Sequence, residues 1–184
     1  MRPIDVVSSA AFAAARSLCW PRMTATARAV PVREFHLGPY ETVVGPGELL
    51  TEIRVPVVPG PAATGSAYEK VSRRVGDWSV AAAGAVLRLD GRKVASAGVG
   101  LTAVGAERFV AAEAEEYLAG RAVDEDSFAK AGAIAARHCH PVADQRGPED
   151  FKRHLVAELT ARALRRAAAR AQGPRPHEPV RVSP

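Results

Sequence analysis

Downstream of Ser66 the chain alternates, turns and alternates again, and no other stretch limits its fold so tightly. Tyr68, Lys70, Ser72 and Arg74 interleave with Ala67, Glu69, Val71 and Arg73. That is the two-residue period of a half-buried strand, not the 3.6-residue period of a helix. Gly76-Asp77 breaks the run, and residues 79–89 are then rich in Val and Ala up to Asp90-Gly91. That dipeptide tolerates positive φ and marks a hairpin whose returning strand is KVASAGVGLTAVG. Ala, Gly and Ser crowd both strands, so a bulky layer must pack closely on the sheet.

The residues that follow supply such a layer. Residues 111–119 read as a short helix ended by Gly120, and residues 124–138 as a second with acids in its first turn, where they complement the helix dipole. Gly147-Pro148-Glu149-Asp150 opens a third, with Pro suited to the first helical position. Phe151, Leu155, Leu159 and Ala163 then recur every four residues as one core-facing stripe, and Gly173-Pro174 stops the helix. The expected fold class is α+β: an antiparallel sheet of three strands or slightly more, packed on one face by about three helices in a two-layer sandwich. The other face is left for a cofactor or a second domain.

Upstream the texture differs. Residues 1–30 carry an Ala/Arg/Ser/Thr bias without strand alternation or a capping box, and read as a helix of low specificity or as disorder. Their apolar stretch 6–15 loosely imitates a signal peptide, but Asp5 and Arg16 interrupt the pattern on either side. From Val32, VREFHLGPYETVV brings aromatic and β-branched residues around a Gly-Pro turn, Gly45-Pro46-Gly47 forms a second turn, and LLTEIRVPVV is strand-like. Pro59-Gly60-Pro61 marks a connector, and the Pro-rich tail, residues 173–184, is expected to be disordered.

At 184 residues and 47% hydrophobic content the chain can bury one good core. No apolar run approaches the ~20 residues of a membrane span. The net charge of +5 gathers at the two ends, with no interleaved aromatic platform, so nucleic acid is not an expected partner. Two cysteines far apart, Cys19 and Cys139, offer no disulfide framework and fit a reducing, cytoplasmic setting. His138-Cys139-His140 invites a metal reading, but adjacent side chains at a helix end diverge and no further ligand lies near in sequence, so no metal site is expected. Ser66, Ser72 and Ser79 lack a His and carboxylate in recognisable order, so no catalytic residue is assigned.

The chemistry gathers where the first strand ends. Lys70, Arg73, Arg74 and Trp78 form a cationic and aromatic group suited to an anionic, planar ligand. The alternative is a solvated strand face with Trp78 as a core or interface residue.

The segments PVREFHLGPYETVVGPGELLTEIRVP, AYEKVSRRVGDW, VGLTAVG and DQRGPEDFKRHLVAELTARALRRA occur in unbroken order. They resemble the medium, FAD-binding subunit of carbon monoxide dehydrogenase and related molybdenum hydroxylases, the xanthine dehydrogenase family. The resemblance divides the chain into an unassigned or disordered segment 1–30, the end of a FAD-binding domain with its connector at 31–64, the C-terminal domain at 65–172 and a tail. It implies FAD as cofactor, with Leu50, Lys70, Asp77 and Trp78 as cofactor-binding positions and Trp78 against the isoalloxazine ring. It implies a molybdopterin-bearing large subunit and an iron–sulfur small subunit as partners in electron transfer to an acceptor. The family's glycine-rich loops, of the AGGHS and TIGG type, do not occur here. The chain therefore reads as truncated, inactive by itself and binding FAD weakly or not at all. The rival expectations are a non-enzymatic subunit-interaction module or a degenerate fragment, neither of which binds flavin.

Overall fold

The computed structural model describes residues 12–17, 27–38, 41–54, 63–106 and 109–173. In chain order the elements are β1 (Phe12–Ser17), β2 (Ala27–Pro31), α1 (Val32–Phe35), β3 (His36–Gly38), β4 (Glu41–Thr42), β5 (Glu48–Arg54), β6 (Thr64–Val71), β7 (Ala81–Asp90), β8 (Lys93–Thr102), α2 (Ala112–Leu118), α3 (Glu125–Arg137) and α4 (Glu149–Gln172). The strands form three antiparallel sheets, ordered β2-β1-β5, β3-β4 and β6-β7-β8.

The β6-β7-β8 sheet with α2, α3 and α4 is the expected two-layer sandwich. Gly65, Ala67, Glu69 and Val71 of β6 stand opposite Leu87, Ala85, Ala83 and Ala81 of β7 on one face. The residues of β7 in that row are fully buried. α4 lies along β6 and β7, α2 lies on β8, and α3 packs against both helices. Small residues set the spacing: a Cβ on Gly65 would stand 2.0 Å from the Ala167 carbonyl oxygen of α4, and one on Gly132 of α3 would stand 2.3 Å from that of Ala157. The helix backbones thus approach sheet and neighbour more closely than a methyl group permits. Leu87, Val99, Leu118, Val156 and Leu164 fill the space between the layers. The outer edge of β8 is closed: the Val99 N–H donates to the buried Glu115 carboxylate at 2.8 Å, and the segment after α2 bonds Val94 on both backbone groups.

β6 stops at Val71, before Gly76-Asp77, because the Val80 N–H reaches back to the Val71 carbonyl and closes the loop early. The β7–β8 turn is Gly91-Arg92, since Asp90 pairs with Lys93; only its first residue has positive φ, which suits the primed turns of twisted hairpins. Pro148 is the N-cap of α4 and not its first helical residue.

The stripe on α4 is corrected as well. Phe151 is half exposed and Leu155 partly so, while Lys152, Val156, Leu159, Thr160, Ala163, Leu164, Ala167 and Ala168 are buried. A strict four-residue repeat advances about 400° per step and drifts ~40° each time around a 3.6-residue helix, so a series anchored at Ala163 has left the core face by Phe151.

A low-specificity helix or disorder was expected over residues 1–30. Of these, residues 12–17 and 27–30 lie in β1 and β2, with β1 at the centre of the first sheet, while residues 1–11 and 18–26 lie outside the described residues. Strand pairing with β5 overrides a composition that shows no alternation. The connector at Pro59-Gly60-Pro61 and the tail beyond Gly173 also lie outside the described residues.

Candidate functional site

The face of the β6-β7-β8 sheet turned away from the helices carries Ser66, Tyr68 and Lys70, paired across to Val86, Gly84 and Ala82 and onward to Gly98, Gly100 and Thr102. Two-residue alternation places Lys70 here because Ala67, Glu69 and Val71 point the other way.

Just beyond Lys70 the loop turns back on it. The Asp77 N–H donates to the Arg74 carbonyl at 3.2 Å, and the Lys70 ammonium then donates to the Asp77 carbonyl at 2.9 Å. The Asp77 carboxylate accepts from the Trp78 N–H at 2.7 Å and faces the Arg73 guanidinium at 3.8 Å. Two bonds therefore fix the backbone on either side of the Asp77-Trp78 peptide, and Trp78 projects outward, 74% exposed. A primary ammonium on β6 and an open indole on the loop after it are thus joined through Asp77. This geometry can receive a planar ligand that carries or develops negative charge.

The structure brings Lys70, Asp77 and Trp78 together. Leu50 belongs to the other sheet, on β5 opposite Ala15, and is 42% exposed. Its strand is tied to β2 by Arg28, whose guanidinium donates to the Glu48 carboxylate at 2.8 and 2.7 Å. That bond, with a second from the Gly45 N–H, holds the Glu48 carboxyl down at about 2.

Sequence reading missed a groove of about 410 Å³ on the same sheet face. Gly84 and Gly100 form its floor, Tyr68 and Thr102 flank it, and His36 and Phe109 cover it edge to face with ring centroids 5.1 Å apart. Phe109 holds φ at +60°, a region a bulky side chain rarely occupies. The available signal was Gly84 in β7 with Gly98 and Gly100 in β8, which leave a floor without side chains.

The His138-Cys139-His140 triplet splits as its spacing requires. His138 turns to Glu113 at 3.2 Å, while Cys139 is buried with its Sγ on the Ala136 carbonyl at 3.1 Å. Burial pushes the Cys139 thiol up, away from the reactive thiolate. Among the described residues no cluster of three or more His, Cys, Asp or Glu could hold a metal ion, and no helix is long and apolar enough to cross a membrane.

An antiparallel sheet backed on one face by three helices, with an ammonium on its open face and an exposed indole on the loop beside it, defines an α+β sandwich. The family model for the CO dehydrogenase flavoprotein C-terminal domain matches residues 66–167, and the chain belongs to that family. It is 42% identical over 146 residues to the carbon monoxide dehydrogenase medium chain of Afipia carboxidovorans, covering 79% of this chain and 50% of that one. It is 35% identical over 143 residues to the carbon monoxide dehydrogenase medium chain of Hydrogenophaga pseudoflava, covering 78% and 49%. The solved structure of the Hydrogenophaga pseudoflava carbon monoxide dehydrogenase lacking the Mo-pyranopterin moiety superimposes with a TM-score of 0.80 at 34% identity, covering 91% of this chain and 56% of that one. The chain spans about half the length of the curated relatives it matches.

Proposed function

We propose that the chain serves as the C-terminal part of a FAD-binding medium subunit of a cytoplasmic molybdenum hydroxylase, similar to aerobic carbon monoxide dehydrogenase. It would work between a molybdopterin-bearing large subunit, an iron–sulfur small subunit and a final electron acceptor. FAD, when bound, supplies the redox chemistry; the protein supplies position and field. Lys70 contributes positive charge beside the ring, anchored by its bond to the Asp77 carbonyl. Asp77 holds the Trp78 amide so that the indole keeps its outward pose, and Leu50, exposed on the β2-β1-β5 sheet, offers an apolar contact.

The observation that carries this reading is the exposed Trp78 one residue from the carbonyl that Lys70 grips. Leaving most of an indole in water forgoes about 25 cal/mol for each Å² of apolar surface, a cost that a stacked ring would relieve. The chain contains no AGGHS- or TIGG-type loop. Several charge-assisted bonds to pyrophosphate, each worth ~1.5–3 kcal/mol, are therefore absent, and the chain alone should bind FAD weakly and catalyse no turnover.

The exposed Leu37, Leu49 and Ile53 favour a second reading, a subunit-interaction module without flavin. A FAD titration of the chain, with and without the glycine-loop domain of a relative supplied in trans, separates the two. The flavin reading expects binding to rise at least 100-fold on addition of that domain and to fall about tenfold in Trp78→Ala. No flavin under either condition, or an unchanged affinity in Trp78→Ala, would overturn it.

A further inference from the structure

The geometry points to a second ligand site, a cleft for a phosphate group, free or on a nucleotide, between Arg73 and Arg146 at the foot of the β6–β7 loop. The cleft encloses about 280 Å³ and is lined by Arg73, Asp144, Gln145 and Arg146. It joins two loops far apart in sequence, one after β6 and one before α4.

Each guanidinium enters it underused. Arg73 meets its carboxylate, Asp77, only at 3.8 Å, and Arg146 meets Asp144 only at 3.7 Å. Both are ~1 Å longer than a charge-assisted hydrogen bond, so neither pair is closed. The Arg146 Nε is buried and has no hydrogen-bond partner among the described residues. A buried N–H without an acceptor is uncommon, and it shows that the protein does not use up the donors of this guanidinium.

Asp144, the acid in the lining, is already spoken for. Its carboxylate accepts from the Lys152 ammonium at 2.8 Å and from the Arg146 N–H at 2.7 Å, and these bonds hold it below the usual carboxylate range. Lys152 in turn is buried and donates to the Val142 carbonyl at 2.6 Å. Asp144 thus serves to pin the loop, and its charge is offset from below. Two arginines without a closed ion pair and Gln145 therefore line one cavity, a set of donors matched to the oxygens of a tetrahedral oxyanion.

Titration of the full chain with inorganic phosphate, followed by calorimetry and phosphorus NMR line width, tests the site. We expect saturable binding of one phosphate per chain, weakened at least tenfold in Arg73→Gln and in Arg146→Gln and unchanged in Arg92→Gln. Arg146→Lys should recover only part of the affinity, because an ammonium cannot reproduce the fork. Should Arg146→Gln fail to fold, Arg73→Gln, whose side chain is half exposed, decides alone. Unsaturable binding, or saturable binding indifferent to both glutamines, would overturn the proposal. Parallel titrations with FMN and riboflavin identify the source of the phosphate. A preference for FMN that vanishes in Arg73→Gln assigns the cleft to a nucleotide; equal affinities, with phosphate binding intact, assign it to the free ion. Inorganic phosphate requires no flavin, so failure here leaves the flavin reading standing, and the converse holds.

Discussion

Asp124 decides by itself where α3 begins. Its backbone is extended, and its carboxylate accepts from the Ser127 N–H at 2.8 Å, satisfying a donor that the first helical turn cannot pair. The same bond draws the carboxyl below its ordinary value. Asp124→Ala should lower the thermal midpoint by about 2–4 °C, and Asp124→Asn should retain most of it, measured by circular dichroism. At this scale the sequence was legible, because capping is local chemistry: an acid followed by helix formers marks the start wherever the segment packs. Lys70 and Trp78 were legible in the same way as residue types, but their joint pose was not. It depends on Asp77 offering its carbonyl to one and its carboxylate to the other, a geometry that no spacing encodes.

Among the elements, β5 carries the clearest dependence on pH. Arg28 from β2 and the Gly45 amide both bond Glu48, so its folded value of about 2 lies below the ordinary 4.5. A depressed folded value means that the contribution is complete above about 4.5 and is lost as pH falls toward 2. Amide exchange at Gly45 should accelerate as pH is lowered across that window, after correction for intrinsic rates, and Glu48→Gln should remove the pH-dependent part. The strand that Arg28 comes from was not foreseen. β1 and β2, FAAARS and ARAVP, show no alternation of polar and apolar residues, so no period marks them as strands. By contrast, β6 and β7 announce themselves through the buried row that faces the helices. α4 was foreseen as a helix, yet its buried face was assigned from a repeat that drifts off the 3.6-residue period.

For the molecule as a whole, the distance between the layers is the controlling quantity. Gly65 lets the Ala167 carbonyl sit where a methyl group would be, so Gly65→Ala must push α4 off the sheet. The expected loss is about 3 kcal/mol, the upper range for overpacking, read from urea denaturation. Gly84→Ala provides the control: its added methyl would meet Tyr68 at 3.6 Å, an ordinary contact, on the side without helices. The sequence by itself determined the α+β class, the hairpin and the order of elements from β6 to α4, because these follow from period, turn residues and caps within a few neighbours. Tertiary structure alone decided the rest: the first sheet around β1, the glycine-floored groove beneath His36 and Phe109, and the meeting of Arg73 with Arg146. Each of these depends on backbone distances between segments remote in the chain, and such distances are set by how closely layers pack, which no local pattern of side chains records.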